Sequence, residues 1–276
     1  MKSKNNQTIS VAIATYNEEK NIARCLDAVH DWVDEIIIVD GESQDKTIEI
    51  AKKYSKVKTI STTNKPMFHI NKNLAIDACQ SDWILQLDAD EIITAELKNE
   101  IMALLKKDIK NISENGFWIK RKNYFIGAFL KKGGQYPDPT VRLYKKGKGR
   151  LPCKDVHEQA KIEGKIGWLQ NDLEHYADTS FSHYLLRHNR YTTLFAQEFQ
   201  DKHIPINFLS FLNYYFLKPV SWFLSTFFRH KGFYDGFPGF VFSFYSALRF
   251  PIAYTKYWEL NKTKRNINIS DDWDKK

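Results

Sequence analysis

The tripeptide Asp88-Ala89-Asp90 closes the apolar run Trp83–Leu87 and sets two carboxylates two residues apart. Hard carboxylate oxygens in that pattern suit Mg2+ or Mn2+, which keep several waters and bridge to substrate phosphates. Alone, Asp-x-Asp is weakly specific, because the same tripeptide is common in solvated turns. Its weight here comes from two acidic motifs upstream, Thr15-Tyr16-Asn17-Glu18 and Asp40-Gly41-Glu42-Ser43-Gln44-Asp45. Each also closes an apolar run. Acids gathered at neighbouring strand ends repel one another unless a cation or hydrogen-bond donors lie between them, and a divalent metal with its phosphates fills that role. Other candidates carry less. His175, His183 and His188 are spaced by eight and five residues, do not share one helical face, and read as ordinary polar residues. Arg142, between Val141 and Leu143, points away from both in a strand and suits either an anionic group or a salt bridge.

These motifs need strands that deliver them to one edge. Ile9–Thr15 and Glu35–Asp40 are short, β-branched apolar runs, the signature of strands buried on both faces of a parallel sheet. Between them Ile22, Leu26, Val29 and Val33 recur at helical spacing, and Asn17 with Glu18 and Glu19 suits the start of that helix. Asp45 or Ser43 is expected to cap a second helix over Lys46–Tyr54, followed by a strand at Val57–Ser61 and a helix over Asn71–Cys79. Trp83–Leu87 is then a fourth strand. In an open α/β sheet ligands collect beyond the carboxyl ends of the strands, where all three acidic motifs fall. A helix over Ala95–Lys107 precedes strand-like runs at Gly116–Phe125 and Thr140–Lys145, so the second half is mixed rather than parallel. A polar helix is expected over Phe181–His203.

The 276 residues suit one sizeable α/β domain plus an extension. Three scattered cysteines exclude a disulfide framework and a Cys-rich zinc site, and with no apolar segment before Ile9 a cytoplasmic location is expected. The net charge is +8, and Trp118–Arg150 holds ten Lys/Arg against one acid, which suits an anionic partner or a solvated surface. From Ile204 to Trp258 the composition shifts to 12 Phe, 6 Tyr and 2 Trp interleaved with Lys and Arg. That mixture suits an amphipathic anchor lying in the plane of an anionic membrane, broken at Gly232 and Gly236–Gly239. Lys218 and Pro219 in its longest apolar stretch oppose a full span. An aromatic core or dimer surface is the other reading.

Taken together, Thr15-Tyr16-Asn17-Glu18, the run Asp40-Gly41-x-Ser43-x-Asp45-x-Thr47 and Asp88-Ala89-Asp90-Glu91 resemble family 2 glycosyltransferases of the GT-A fold. More narrowly, Asn73, Trp83, Pro137-Asp138 with Arg142-Leu143, Val156-His157-Glu158 and Gly232-Phe233-x-Asp235-Gly236 resemble the bacterial lipopolysaccharide-core β-glucosyltransferase-like branch. The resemblance covers most of residues 8–258. It implies a Rossmann-like mixed sheet flanked by helices in a catalytic domain over 1–203, with a nucleotide-sugar half at about 8–110 and an acceptor half at about 111–203. An aromatic-rich helical extension with a polar tail over 204–276 follows.

The implied reaction is inverting transfer from a nucleotide diphosphate sugar, with UDP expected, to a glycan, lipid-linked or phosphorylated acceptor of the cell envelope. It uses Mn2+ or Mg2+ at the inner face of the cytoplasmic membrane. Carried over residue by residue, Thr15, Tyr16 and Glu18 line the nucleotide pocket, Asp40 accepts from base or ribose, Lys72 reaches the diphosphate, Asp88 meets ribose or sugar, and Asp90 takes the metal with His157 as a further ligand. Glu158 is the first candidate for the base that deprotonates the acceptor hydroxyl, and Asp138 the alternative. Two other classes compete. A nucleotidyltransferase needs a glycine-rich, basic phosphate loop where this chain has Tyr16-Asn17-Glu18-Glu19. A non-catalytic basic module for nucleic acid or anionic lipid uses Lys120–Arg150 but leaves three acidic strand ends without a purpose.

Overall fold

A computed structural model describes residues 7–65, 67–153 and 159–263. Strand β1 (Ile9–Thr15), helix α1 (Ile22–Asp27), β2 (Glu35–Asp40), α2 (Thr47–Ala51), β3 (Val57–Ser61), α3 (His69–Ala78) and β4 (Trp83–Asp88) alternate as the sequence predicts. A short β5 (Glu91–Ile93) and α4 (Ala95–Leu105) follow, then β6 (Gly116–Phe125), β7 (Ala128–Phe129), β8 (Asp138–Lys145), β9 (Gly149–Arg150), β10 (Lys161–Ile162) and β11 (Ile166–Asp178). The main sheet runs β3-β2-β1-β4-β8-β6-β11-β5, with β7 paired to β6. β1, β2, β3 and β4 pair in parallel, whereas β8 joins β4 and β6 antiparallel, so the sheet is mixed in its second half.

Alternation sorts the strand residues onto two covered faces, since neighbouring side chains on a strand point to opposite sides. Val11, Ile13, Ile36, Ile38, Leu85 and Leu87 face one core, closed by Ile22 and Leu26 of α1 and by Leu97 and Ile101 of α4. Ala12, Ile37, Val39 and Ile84 face the other, closed by Ala75, Ile76 and Cys79. With both faces covered, β1, β2 and β4 are apolar over most of their length, and the polar residues they bury, Ser10 and Gln86 among them, are hydrogen-bonded.

The first helix starts later than the sequence suggests. Asn17 has a left-handed φ of 57° and cannot be a helix cap; its side chain accepts from the Gln44 amide at 2.7 Å, and the helix begins only at Ile22. Asp45 is likewise a tie, receiving the amides of Thr47 at 3.0 Å and Glu19 at 3.1 Å ahead of a helix of only five residues.

Contacts divide the chain into two compact units, residues 1–122 with 138–175 and residues 123–137 with 176–276. The second unit holds helices α5 (Phe181–Asp201), α6 (Phe208–Leu212), α7 (Lys218–Leu224), α8 (Gly236–Ala247) and α9 (Arg249–Thr263). π-helical stretches at Asn213–Leu217 and Ser225–Arg229 join and extend α6 and α7. The shift in composition at residue 204 falls inside this unit, because α5 packs on α9 through Ala196, Phe199, Ala253 and Tyr257. The aromatic segment does break where its glycines suggest: the run ending at Arg229 gives way to a 3-10 turn over Gly232–Asp235, and α8 starts afresh at Gly236, whose φ is 62°, and runs through Gly239, where a side chain would collide with the Gly232 carbonyl. No helix of the described residues is long and apolar enough to cross a membrane.

Candidate active site

The parallel pairing sets Thr15 opposite Asp40 and Ala14 opposite Asp88, so the three acidic motifs leave the sheet side by side. Thr15 donates to Asp40 Oδ1 at 3.0 Å, and the Ser43 amide and hydroxyl donate to the same carboxylate at 2.9 and 2.6 Å. Asp40 is therefore buried and satisfied. Glu18 accepts from Asn21 Nδ2 at 2.8 Å, and its amide donates to Thr47 Oγ1 at 2.7 Å. Tyr16 is half-buried between these motifs in sequence. Further bonds run between the loops after β1 and β2: Asn17 N to Ser43 Oγ at 2.8 Å and Gly41 N to Thr15 O at 2.9 Å. The two loops hold each other.

Asp88 and Asp90 have different surroundings. The Asp88 carboxylate pairs with Lys72 Nζ from α3 and with Arg142 Nη2 from β8 at 2.7 Å. Burial alone would raise its pKa, but Arg142 and Lys72 outweigh burial and hold the carboxyl well below the usual carboxylate range. Arg142 also donates to Gln86 Oε1 at 2.6 Å and to Glu91 Oε1 at 2.7 Å. Glu91 is wholly buried, accepts the Asp88 amide at 3.0 Å, and meets Arg121 at 3.3 Å. Arg121 in turn grips Asp138 Oδ2 through Nε and Nη2 at 2.9 and 2.6 Å. Three carboxylates and three cations thus alternate and balance. Asp90, about a quarter exposed like Asp88, has His175 Nε2 of β11 at 3.4 Å from its Oδ2.

The acids also converge electrically beneath the surface. Cys25 of α1, fully buried with its thiol 3.6 Å from the Asp88 carbonyl, has a pKa raised first by burial and then by Glu91, Asp90, Asp88 and Glu18. One carboxylate and one imidazole make a donor set suited to Mn2+ or Mg2+ when phosphate oxygens and water complete the shell. Among the described residues no group of three metal-binding side chains exists, so the chain alone does not complete such a site.

The structure brings Thr15, Glu18, Asp40, Lys72, Asp88 and Asp90 to the strand-end region and ties Asp138 to it through Arg121. His157 and Glu158 lie outside the described residues. Arg142, open between two readings in the sequence, is a buried salt bridge. His175 was grouped there with polar histidines, yet it faces Asp90, while His183 pairs with Asp178. Its signal, an isolated His late in a long strand, is too common to read.

The basic run is not one face. Arg121 and Arg142 are internal, and Arg150 and Lys148 pair with Asp77 and Glu163. Those last pairs line a hollow of about 490 Å³ beside Ile84, the second residue of β4, toward the end of that strand away from Asp88.

Residues 10–148 match the family model described as glycosyl transferase family 2. An uncharacterized glycosyltransferase of Rickettsia typhi is 29% identical over 96% of this chain and 91% of its own length. The lipopolysaccharide core biosynthesis glycosyltransferase LpsC of Rhizobium meliloti is 26% identical over 95% and 96%. Among solved structures, S. aureus TarS matches with a TM-score of 0.46 and 16% identity over 95% of this chain and 93% of the other.

Proposed function

The chain belongs to glycosyl transferase family 2 and is a glycosyltransferase; from that premise we propose that it moves a sugar, with inversion, from a nucleotide diphosphate donor, UDP-linked, to a cell-envelope glycan. The observation that carries the donor side is the meeting of three acidic strand ends at one edge of the sheet, with Asp90 and His175 side by side there. Strand ends of this kind are where open α/β sheets bind nucleotides. The lipopolysaccharide core role printed for the Rhizobium relative supports a glycan or lipid-linked acceptor of that class.

In this reading Tyr16 offers its ring to the base, while Asp40, held rigid by Thr15 and Ser43, accepts from base or ribose. Asp90, with His175 or His157, holds Mn2+ or Mg2+, which supplies positive charge for the leaving diphosphate. Arg142 and Lys72 fix Asp88 against the sugar side, and Lys72 exchanges between Asp88 and the diphosphate. Glu158 remains our first candidate for the base that takes the proton from the acceptor hydroxyl. One oxygen of Asp138, the alternative, is already committed to Arg121. The aromatic-rich second unit attaches the enzyme to the inner face of the membrane, where such acceptors are presented.

Release of UDP from a panel of UDP-sugars with Mn2+, compared with GDP-sugars and with chelator, tests the donor reading. The expected result is metal-dependent turnover of one UDP-sugar that Asp90→Ala abolishes. Turnover only with a GDP-sugar, or at full rate in chelator, would overturn the corresponding half.

A further inference from the structure

Phe208–Arg229 is one helical run in which α-helical and π-helical stretches alternate. In an α-helix each residue advances about 100°, so positions four apart drift by about 40° per step. The wider π turns take that drift back, and the second follows the first by twelve residues. As a result the inward side chains recur every four residues. Tyr214 stacks on Tyr254, Lys218 Nζ lies 4.2 Å from the Tyr214 ring centre, Trp222 donates to Ser246 Oγ at 3.0 Å, and Thr226 is buried.

The opposite positions, Phe216, Val220, Leu224 and Phe228, are exposed by 52, 56, 48 and 55%. The helix is therefore largely reversed in polarity: Tyr214, Lys218, Trp222 and Thr226 face the protein, and the exposed side is mainly hydrocarbon, with Ser221 and the terminal Arg229 as its polar members. An amphipathic helix in water has the opposite arrangement. On α8, Phe237, Phe240 and Phe244 add a second exposed stripe at helical spacing.

A cationic rim adjoins this surface. The Asp235 carboxylate accepts the amides of Lys131 and Lys132 at 3.0 and 2.8 Å, and Gly133 N donates to His230 O at 2.9 Å, which seats that loop against residues 230–235. Lys131, Lys132, Arg229 and Lys231 are all exposed there. Residues 204–263 carry six Lys/Arg and two acids, and one of those acids, Asp235, is occupied by amides.

We infer that this surface seats the protein on an anionic bilayer. The run 208–229 lies in the plane of the leaflet, Phe216, Val220, Leu224 and Phe228 enter the acyl boundary, and Lys131, Lys132, Arg229 and Lys231 meet lipid phosphates. A second copy fits less well, because a two-fold contact through this patch returns the same cations to its own rim. The inference rests on the membrane-facing reading of the second unit and adds which face and which groups make the contact.

Flotation of the full chain with phosphatidylcholine vesicles, with and without phosphatidylglycerol, tests it. Wild type is expected to float with the anionic vesicles and to be released by salt. Val220→Ser and Leu224→Ser, both at exposed positions, should each lower partitioning by roughly tenfold, and Lys131→Gln and Lys132→Gln by roughly fivefold per charge. UDP release in detergent should stay at the wild-type rate in all four. If wild type floats but the variants float equally well, the face is wrong and membrane attachment survives. Failure of wild type to float removes both. A concentration-dependent dimer that Leu224→Ser dissociates, without vesicle binding, assigns the ridge to a second copy and overturns the inference. Vesicle binding without any sugar-nucleotide turnover leaves the inference intact and sinks the donor reading alone.

Discussion

Asp88 gives its carboxylate to the buried guanidinium of Arg142 and to Lys72, whereas Asp90, two residues on, has the imidazole of His175 beside it. The two acids should therefore fail differently. Removing Arg142 takes the nearer of two guanidinium groups from buried Glu91 and one of two cations from Asp88; deleting one member of a buried pair costs about 3–5 kcal/mol, and Arg121 and Lys72 hold the loss to the lower end of that range. Arg142→Met should accordingly lower the urea midpoint sharply as well as turnover, whereas Asp90→Ala should leave the midpoint near wild type and remove metal-dependent turnover. Equal midpoints for the two variants would contradict the network. The base is separable in the same way: Glu158→Gln should retain UDP binding by calorimetry and lose transfer, and if it transfers normally while Asp138→Asn does not, the role moves to Asp138. The acidic tripeptide was legible from the run before it. The cations that neutralise Asp88 were not, because Arg142 is 54 residues away and its partner is chosen by the antiparallel register of β8 on β4. His175 is similarly delivered by β11 lying antiparallel to β5, with His175 paired to Glu91.

At the level of elements, apolar runs buried on both faces announced β1, β2 and β4, and Ile22, Leu26, Val29 and Val33 are all buried, although α1 ends at Asp27 and the last two are carried by the turns after it. Helix starts were harder, because Asn17 and Ser43 bond across between the loops after β1 and β2, and Asp45 serves the start of α2 and the facing loop at once. The four-residue period of 208–229 also escaped a reading based on 3.6, since Pro219, unable to donate and crowding the carbonyl four residues back, stands in the first turn of α7, with only Lys218 between it and a π stretch whose wider turn accommodates it. Helix α5 offers a pH test. Ser180 caps it, accepting from the His183 amide, and Asp178 beside that cap takes His183 and Arg187. The Asp178 carboxylate, 3.8 Å from the imidazole, raises the His183 pKa against the opposing effect of burial. A raised folded value means the stabilisation is present below the unfolded pKa near 6.5 and is lost as pH rises through the folded value. An NMR titration should place the His183 imidazole above its ordinary value, and Asp178→Asn should bring it down; no movement would detach the pair from the cap.

For the whole molecule, composition and packing divide the chain at different places. The aromatic content changes at residue 204, but α5 before that point shares a core with α9 after it. One face of the C-terminal segment is thus interior and the other exposed, which makes the aromatic-core and membrane-anchor readings compatible. Deleting 207–276 should therefore uncover Ala196 and Phe199 and yield aggregated protein rather than a clean soluble enzyme, measurable by gel filtration. A monodisperse truncated protein would show α5 to be independent of α9. In the first unit the loops after β1 and β2 are already fastened together, through Asn17 to Ser43 and Gln44 and through Asp45 to Glu19. Their amides are expected to resist deuterium exchange before any ligand arrives, so a nucleotide bound as proposed would meet walls whose disorder was surrendered during folding and not during recognition.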